Sequence, residues 1–155
     1  MSEQDKHKDV VAKFRKQLNV LLGHSNWDLV CVSDKVSYSE KLPIGKWELV
    51  VEPVSPQRRR IVASFQLHPM INCCGICVST QAMVQADFRN RGIGTLLNSF
   101  RIDVARHNGY GLLLCTDVMG NEHQRKVLRA NGWKDVHEFV NPRTSNRVAI
   151  SVINL

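Results

Sequence analysis

The sequence contains no long apolar run, and this absence sets the first limit on the protein. A membrane-spanning helix needs about 18 or more consecutive apolar residues, and the 155-residue sequence has no such stretch. Residues 1 to 9 are mostly polar or charged, so they lack the apolar segment of a secretory signal peptide. We therefore expect a cytoplasmic protein without a membrane partner.

An even set of cysteines is also missing. The chain has five, and an odd number argues against a disulfide framework. Cys73, Cys74 and Cys77 cluster shortly after His68, but a structural metal site takes paired ligands from two separate turns. Only one such cluster exists, so we predict reduced, partly buried cysteines and no metal site.

Acidic residues are outnumbered by basic ones. The chain has 14 Asp and Glu against 21 Lys and Arg, a net charge of +7 at pH 7. Such an excess favours an anionic partner, which could be a phosphorylated cofactor, a nucleic acid or an acidic surface. The extra basic residues are an N-terminal group, a run of three arginines and arginines scattered later in the chain, the first two being Lys6, Lys8, Lys13, Arg15 and Lys16, and Arg58–Arg60. A solvated basic surface is a simpler interpretation than a dedicated nucleic-acid groove.

The length and ordinary composition, with 43% hydrophobic residues, predict one domain over residues 1–155. Within it we expect a variable N-terminal part, residues 1–46, and a core, residues 47–155. Apolar residues at helical spacing predict a helix over residues 10–22 and another from Ile93 to about Asn108, and a third should run from an Asn121 cap to Ala130. Apolar and β-branched stretches predict strands at Trp27–Val32, Trp47–Val54, Ile61–Leu67, Ile76–Val84, Gly111–Thr116, Trp133–Val140 and Val148–Ile153.

The pairing of these strands follows from their connections. The strands either side of the turn at residues 55–60 should form a hairpin, as should the last two strands. The continuous apolar run at Gly111–Thr116 is typical of a central parallel strand. With Ile76–Val84 and the helix between them, it predicts a right-handed strand–helix–strand crossover.

The most informative stretch is the turn between the strand Ile76–Val84 and the next helix. It reads Arg89-Asn-Arg-Gly-Ile-Gly94. Glycines let a backbone approach a ligand closely, and the free N–H groups that open a helix bind anions. Arginines beside them would add charge-assisted hydrogen bonds to phosphate. The stretch therefore indicates a pyrophosphate site.

Two common phosphate-binding motifs do not fit this stretch. A dinucleotide fingerprint needs a third glycine, and Leu97 stands there. A P-loop needs Gly-Lys-Ser/Thr, and Gly94 is followed directly by Thr95. A glycine turn that only eases packing remains the alternative at this point.

The motif Arg89-x-x-Gly92-x-Gly94, after an apolar strand and before an amphipathic helix, resembles the acyl-CoA-binding motif of the GCN5-related N-acetyltransferases (GNAT). The later segment Asn121–Trp133 is similar to a second signature of that family, an Asn-led helix that ends at Gly plus an aromatic residue. The resemblance covers roughly residues 76 to 140. It implies an α/β fold, with a mixed, mostly antiparallel sheet flanked by helices and a splayed central strand pair.

The resemblance also implies acetyl-CoA as co-substrate and a set of contacts to it. Backbone groups near Met83 and Val84 would hold the pantetheine arm and polarise the thioester carbonyl, and Asn121 would contact the arm or the amine side. The loop would hold the pyrophosphate. The full implied set is Met83, Val84, Arg89, Asn90, Arg91, Gly92, Ile93, Gly94, Thr95 and Asn121.

One departure from the family concerns the catalyst. Many members carry a tyrosine seven residues after the Asn, as general acid to the leaving thiolate, and here that position is Leu128. Replacement acids could be Cys115, His123 or solvent, and the residues do not choose among them. Asn121 is a further candidate for a catalytic role. The general base is equally open. Glu48, Glu52, His68 and Asp117 are candidates, each read more simply as a surface polar residue.

Two functions from different classes follow. The first is an N-acetyltransferase that moves an acetyl group to a primary amine of a small molecule or protein, with a variant acting on nucleic acid. The second is a non-catalytic GNAT-like module that binds CoA or a partner. Acceptor specificity should come from residues 24 to 46 and the last hairpin. A homodimer is left open.

Overall fold

The computed structural model describes residues 3–23, 27–32, 44–51 and 59–155. Three helices and seven strands follow the predicted order within a residue or two at most ends. They are α1 (Glu3–Leu22), β1 (Trp27–Val32), β2 (Lys46–Val51), β3 (Arg60–Pro69), β4 (Ile76–Val84), α2 (Ile93–His107), β5 (Leu112–Val118), α3 (Glu122–Ala130), β6 (Lys134–Val140) and β7 (Arg147–Asn154). The predicted end of the second strand, residues 52–54, lies outside the described residues, as does most of the acceptor-loop stretch 24–46. No described helix is long and apolar enough to cross a membrane.

All seven strands form one sheet in the order β1-β2-β3-β4-β5-β7-β6. The two predicted hairpins, β2–β3 and β6–β7, are antiparallel as expected. The single parallel pair is β4 and β5, joined through α2 as the strand–helix–strand pattern predicted. The structure thus confirms the mixed, mostly antiparallel sheet flanked by helices.

The core lies between the sheet and helices α1 and α2. The Phe100 ring of α2 is at its centre, stacked on Phe14 of α1 with ring centroids 4.2 Å apart. Trp47 and Phe65 meet the same ring edge-on at 5.1 and 6.0 Å. Aromatic rings in these arrangements add about 1 kcal/mol per pair beyond their buried area. This cluster fixes α2 against β2 and β3, and so fixes the turn at the start of α2.

The parallel pair separates after a short stretch. Register partners run from Ile76 with Leu112 to Ser79 with Cys115, and beyond them β4 and β5 continue without pairing to each other. The splayed central pair predicted from the family resemblance is therefore present. The space between the two free strand ends is called the wedge below, and the Ser79–Cys115 pair is its apex.

Strand β4 bends just past the apex. Ser64 pairs with Met83 and Gln66 with Thr80, so Phe65 alone faces both Gln81 and Ala82. This is a β-bulge, in which one strand carries an extra residue and twists more strongly. Gln81 has the left-handed φ of 52° that the bulge requires. The bulge turns the end of β4 away from β5 and helps to open the wedge.

Candidate active site

A cleft of about 500 Å³ opens at the wedge and extends along α2. Its lining comes from the end of β4, the glycine loop, the inner face of α2 and the start of α3. The lining residues are Ser64, Phe65, Ala82, Met83, Val84, Phe88, Arg89, Asn90, Gly92, Gly94, Thr95, Leu97, Asn98, Arg101, Asn121, His123, Gln124 and Val127.

The loop that enters α2 is shaped for an anion. Asn90 and Gly92 both adopt left-handed φ values, 60° and 80°, which turns successive backbone N–H groups toward one side as in an anion-binding nest. Gly92 is the N-cap, and no side chain caps the N–H groups of the first turn of α2. The first turn also carries no acidic residue, although acids are favoured there in ordinary helices. These features leave the helix N-terminus open to an anionic ligand.

Three arginines lie at this loop, one bonded to the backbone and two beside the Phe88 ring. Arg89 donates from Nε to the backbone carbonyl of Val84 at 3.0 Å, which ties the loop to the end of β4. Arg91 lies over the Phe88 ring, 5.4 Å from its centroid, and Arg60 lies 5.0 Å from the same centroid. Arg60 is also paired with Asp87. The loop is therefore strongly positive.

The predicted CoA contacts are mostly together in the cleft. Its lining includes the expected residues Met83, Val84, Arg89, Asn90, Gly92, Gly94, Thr95 and Asn121. Two others do not line the cleft: Arg91 is exposed and lies over the Phe88 ring, and Ile93 is 1% exposed in the core. The side chain of Ile93 therefore anchors α2, and only its backbone can serve a ligand.

The predicted catalytic candidates differ in where they lie relative to the cleft. His123 and Asn121 line the cleft, but the Asn121 side-chain oxygen already accepts from the Gln124 N–H at 3.2 Å as the α3 N-cap. Cys115 is buried beneath the cleft, and its burial raises the pKa of its thiol to about 11. Leu128, at the position of the family's tyrosine, is 2% exposed within the core.

Of the base candidates, two are not the surface residues that the sequence suggested. Glu48 is 3% exposed and ion-paired with Lys46 at 2.6 Å. Asp117 is 6% exposed and bound to Arg125 at 3.0 Å. The surface interpretation fails because each acid has a nearby cation, which lets a carboxylate be buried. His68 is exposed, and Glu52 lies outside the described residues.

Glu48 also has a defined position relative to β4. It pairs across the sheet with Ser64, which in turn pairs with Met83. Directly paired residues in antiparallel strands project from the same face, so the three form one row. The Oε2 atom of Glu48 has no hydrogen-bond partner among the described residues.

Sequence reasoning missed two cleft residues on α2, Asn98 and Arg101, which are 3% and 2% exposed. Arg101 donates from Nε to Asn98 Oδ1 at 2.8 Å and from Nη1 to Ser79 Oγ at 3.0 Å. Its guanidinium also lies 4.8 Å from the Trp133 ring centroid. A signal was available, because both polar residues fall on the helix face that also carries Leu97 and Ala105, and that face is otherwise apolar.

Comparisons with known proteins complete the description of the site. No protein-family model and no curated protein matches the sequence, but solved structures do match the fold. The ribosomal-protein-S18-alanine N-acetyltransferase from Escherichia coli has a TM-score of 0.62 at 10% identity, covering 83% of this chain and 93% of its own. The NatC complex bound to Gag peptide and CoA gives 0.61 at 12%, with 71% and 70% covered.

A third match is the GNAT-family acetyltransferase from Bacillus anthracis, with a TM-score of 0.59 at 10% identity, covering 71% of this chain and 66% of its own. At these identities the matches show the fold alone, and this fold agrees with the architecture predicted from the two sequence signatures. The chain therefore has the GNAT fold.

Proposed function

We propose that this protein is an acetyl-CoA-dependent N-acetyltransferase that acts on a primary amine of a small molecule or protein. The observation that carries the proposal is the continuity of the cleft. An uncapped helix N-terminus with two left-handed loop residues stands at one end, and the free end of β4 beside the wedge stands at the other. A ligand with a pyrophosphate joined to a narrow arm matches both ends at once.

The chemistry assigns a task to each part of the cleft. The glycine loop holds the pyrophosphate, and Asn121 lies across the cleft where it would contact the arm. Near Met83 and Val84 the free end of β4 presents backbone groups to the pantetheine arm, and the thioester lies further along β4, toward the apex of the wedge. Attack by a neutral amine builds negative charge on the carbonyl oxygen, and fixed N–H groups stabilise such an oxyanion. His123 contributes an imidazole to the cleft lining.

Gly94 gives a direct test of the loop. A Cβ at this position would lie 3.7 Å from Val84 Cγ2, an ordinary contact, so Gly94→Ala should fold and bind acetyl-CoA within a few-fold of the parent. Gly94→Asp should also fold, because an acid in the first turn favours a helix. Its carboxylate would repel the phosphates, so we expect binding to weaken by about 30-fold or more.

Isothermal titration with acetyl-CoA measures both variants against the parent, with circular dichroism to confirm folding. The parent should bind with a dissociation constant of about 1 μM to 1 mM, the range usual for enzyme substrates. A folded parent that does not bind acetyl-CoA rejects the proposal. A folded Gly94→Asp variant that binds like the parent shows that the pyrophosphate is held elsewhere.

The alternative function is a CoA-binding module without turnover. Leu128 favours it, because the side chain at the tyrosine position is buried away from the cleft and cannot protonate a leaving group. A panel of amines, followed by the release of free CoA thiol, separates the two functions. Sustained release that depends on an added amine supports the transferase, and tight acetyl-CoA binding without release for any amine supports the module.

A further inference from the structure

Arg101 is a buried cation without a carboxylate partner in the described part of the chain. Its hydrogen-bond partners are the neutral side chains of Asn98 and Ser79, and it also bonds the Cys115 thiol. Burying an unneutralised ion costs several kcal/mol. Burial accordingly lowers the pKa of the Arg101 guanidinium from its ordinary value, although arginine stays charged in proteins. A site that keeps such a charge is suited to an anion that arrives with a ligand.

The guanidinium is held at the apex of the wedge. Ser79 and Cys115, both in contact with it, are the last paired residues of β4 and β5. Arg101 is seven residues after Gly94, or about 10 Å along the axis of α2. An arm that enters from the loop and runs to the apex of the wedge therefore brings its sulfur end toward the guanidinium.

Asn98 provides a second and independent observation at the same place. Its Oδ1 accepts from Arg101, which fixes the orientation of the amide. Its Nδ2 is buried and has no acceptor among the described residues. A buried donor without a partner is costly, so this wall of the cleft has an unfilled donor next to a positive charge. Both groups suit a ligand atom that is anionic and accepts hydrogen bonds.

We propose that Arg101, with Asn98 beside it, binds and stabilises the thiolate of CoA as it leaves the thioester. This inference rests on the proposed function. It gives the leaving thiolate a stabilising partner, which the buried Leu128 side chain cannot provide. The alkyl thiolate is the anion that the reaction itself creates at the end of the arm.

The step balances without a general acid. The amine nitrogen forms a bond to the carbonyl carbon, and the carbonyl electrons move to oxygen. The oxyanion then collapses, the carbon–sulfur bond breaks, and its electron pair stays on sulfur as thiolate opposite the guanidinium. The proton lost by the amine passes to water, and the thiolate is protonated by solvent after release. A positive charge placed before the reaction stabilises the thiolate without rearranging the site.

The experiment compares CoA with desulfo-CoA, in which hydrogen replaces the thiol. Dissociation constants for both are measured by isothermal titration from pH 6 to pH 9 on the parent, Arg101→Met and Arg101→Lys. If the guanidinium lowers the pKa of the bound thiol by one unit, the preference for CoA over desulfo-CoA rises about tenfold as the thiol ionises. Arg101→Met should show a preference that does not vary with pH, and Arg101→Lys should retain part of the effect.

Other charged groups near the cleft should not produce the same pH-dependent preference for CoA over desulfo-CoA. Arg89 from the loop and His123 from α3 face the cleft, but both ligands share the same phosphates and arm, so their effects cancel in the ratio. Cys115 from β5 stays protonated over this range, because burial holds its pKa near 11. Asp117 and Asp135 influence Cys115 electrostatically and are the same for both ligands.

The outcomes separate this inference from the proposed function. A pH-dependent preference in the parent that is lost in a folded, CoA-binding Arg101→Met variant supports the thiolate role. A preference that is flat in the parent, or unchanged in Arg101→Met, overturns it while leaving CoA binding intact. A parent that binds neither ligand overturns the proposed function and, with it, this inference.

Discussion

Two arginines in the described part of the chain are almost fully buried, and their surroundings are opposite. Arg125 of α3 is 4% exposed and Arg101 of α2 is 2% exposed. Arg125 reaches Asp117 at 3.0 Å and Asp135 at 2.7 Å, whereas Arg101 has only neutral partners. Desolvation penalises both cations, but only Arg125 recovers the cost through carboxylates in the described structure. Arg125 therefore stabilises the fold, whereas Arg101 is the cation that we propose binds an anionic ligand group.

The Arg125 cluster is closed on itself. The hydroxyl oxygen of Ser151 in β7 lies 2.9 Å from one carboxylate oxygen of Asp117 and 2.8 Å from one of Asp135, and it can donate its single hydrogen to either. Arg125 donates to the other oxygen of each acid. Helix α3 is thereby tied to β5, β6 and β7 at once. The Arg101 cluster is open, because it lines the cleft and includes a donor without an acceptor.

The largest expected effect comes from breaking the closed cluster. Arg125→Met leaves the buried Asp117 without its cation, and Asp135 keeps only Arg129, 3.8 Å away. Removing one member of a buried ion pair costs about 3 kcal/mol or more, so the free energy of unfolding should fall by roughly that amount. Urea denaturation followed by circular dichroism measures it. An unchanged midpoint would mean that the cluster contributes nothing to folding.

A smaller effect should appear in acid. The Ser151 hydroxyl and the Arg125 guanidinium hold the pKa of Asp135 below its ordinary value. An acid with a lowered pKa stabilises the fold above its unfolded pKa of about 3.9 and loses that contribution as the pH falls through the folded value. Because the Asp135 side chain is 32% exposed, solvent screening should keep its contribution below about 1 kcal/mol.

Urea denaturation at pH 5 and pH 3 tests this sign. The parent should lose more stability between the two values than Asp135→Asn, which has no carboxylate to protonate at that position. Equal losses in the two proteins would contradict a lowered pKa for Asp135. Arg101→Met serves as a control, because Arg101 has no acidic partner in the described structure and its removal should leave the acid dependence as in the parent.

A contrast between local patterns and long-range contacts explains which features could be predicted from the sequence. Strands and helices followed from apolar spacing, because each pattern is local and reports one buried face. The glycine loop followed as well, since Gly92 is needed for a left-handed turn that brings backbone N–H groups to a ligand. The resemblance to an acyl-CoA-binding motif came from two signatures in order, and the sheet and wedge that this resemblance implied are present.

The remaining features depend on contacts distant in sequence or on rare conformations. The bulge at Gln81 could not be predicted, because glutamine gives no signal for a left-handed φ. Arg101 meets Ser79, 22 residues earlier, only after the parallel pair has formed. Glu48 was predicted to lie on the surface. It is buried because the fold brings Lys46 and Arg59 to 2.6 and 3.7 Å from its carboxylate oxygens.

The smallest expected change in stability comes from the open cluster. Arg101→Met loses the contact with the Trp133 ring, worth about 0.5 to 2 kcal/mol, and the bonds to Asn98 and Ser79. It also removes the desolvation cost of an unneutralised cation, which is several kcal/mol. Because these losses and this gain are opposite in sign and similar in size, we expect a free energy of unfolding within about 1 kcal/mol of the parent, or above it. Urea denaturation of Arg101→Met and Arg125→Met side by side makes the comparison. If the two variants lose stability equally, Arg101 is held in place for the fold, and its open surroundings no longer indicate a site for an anion.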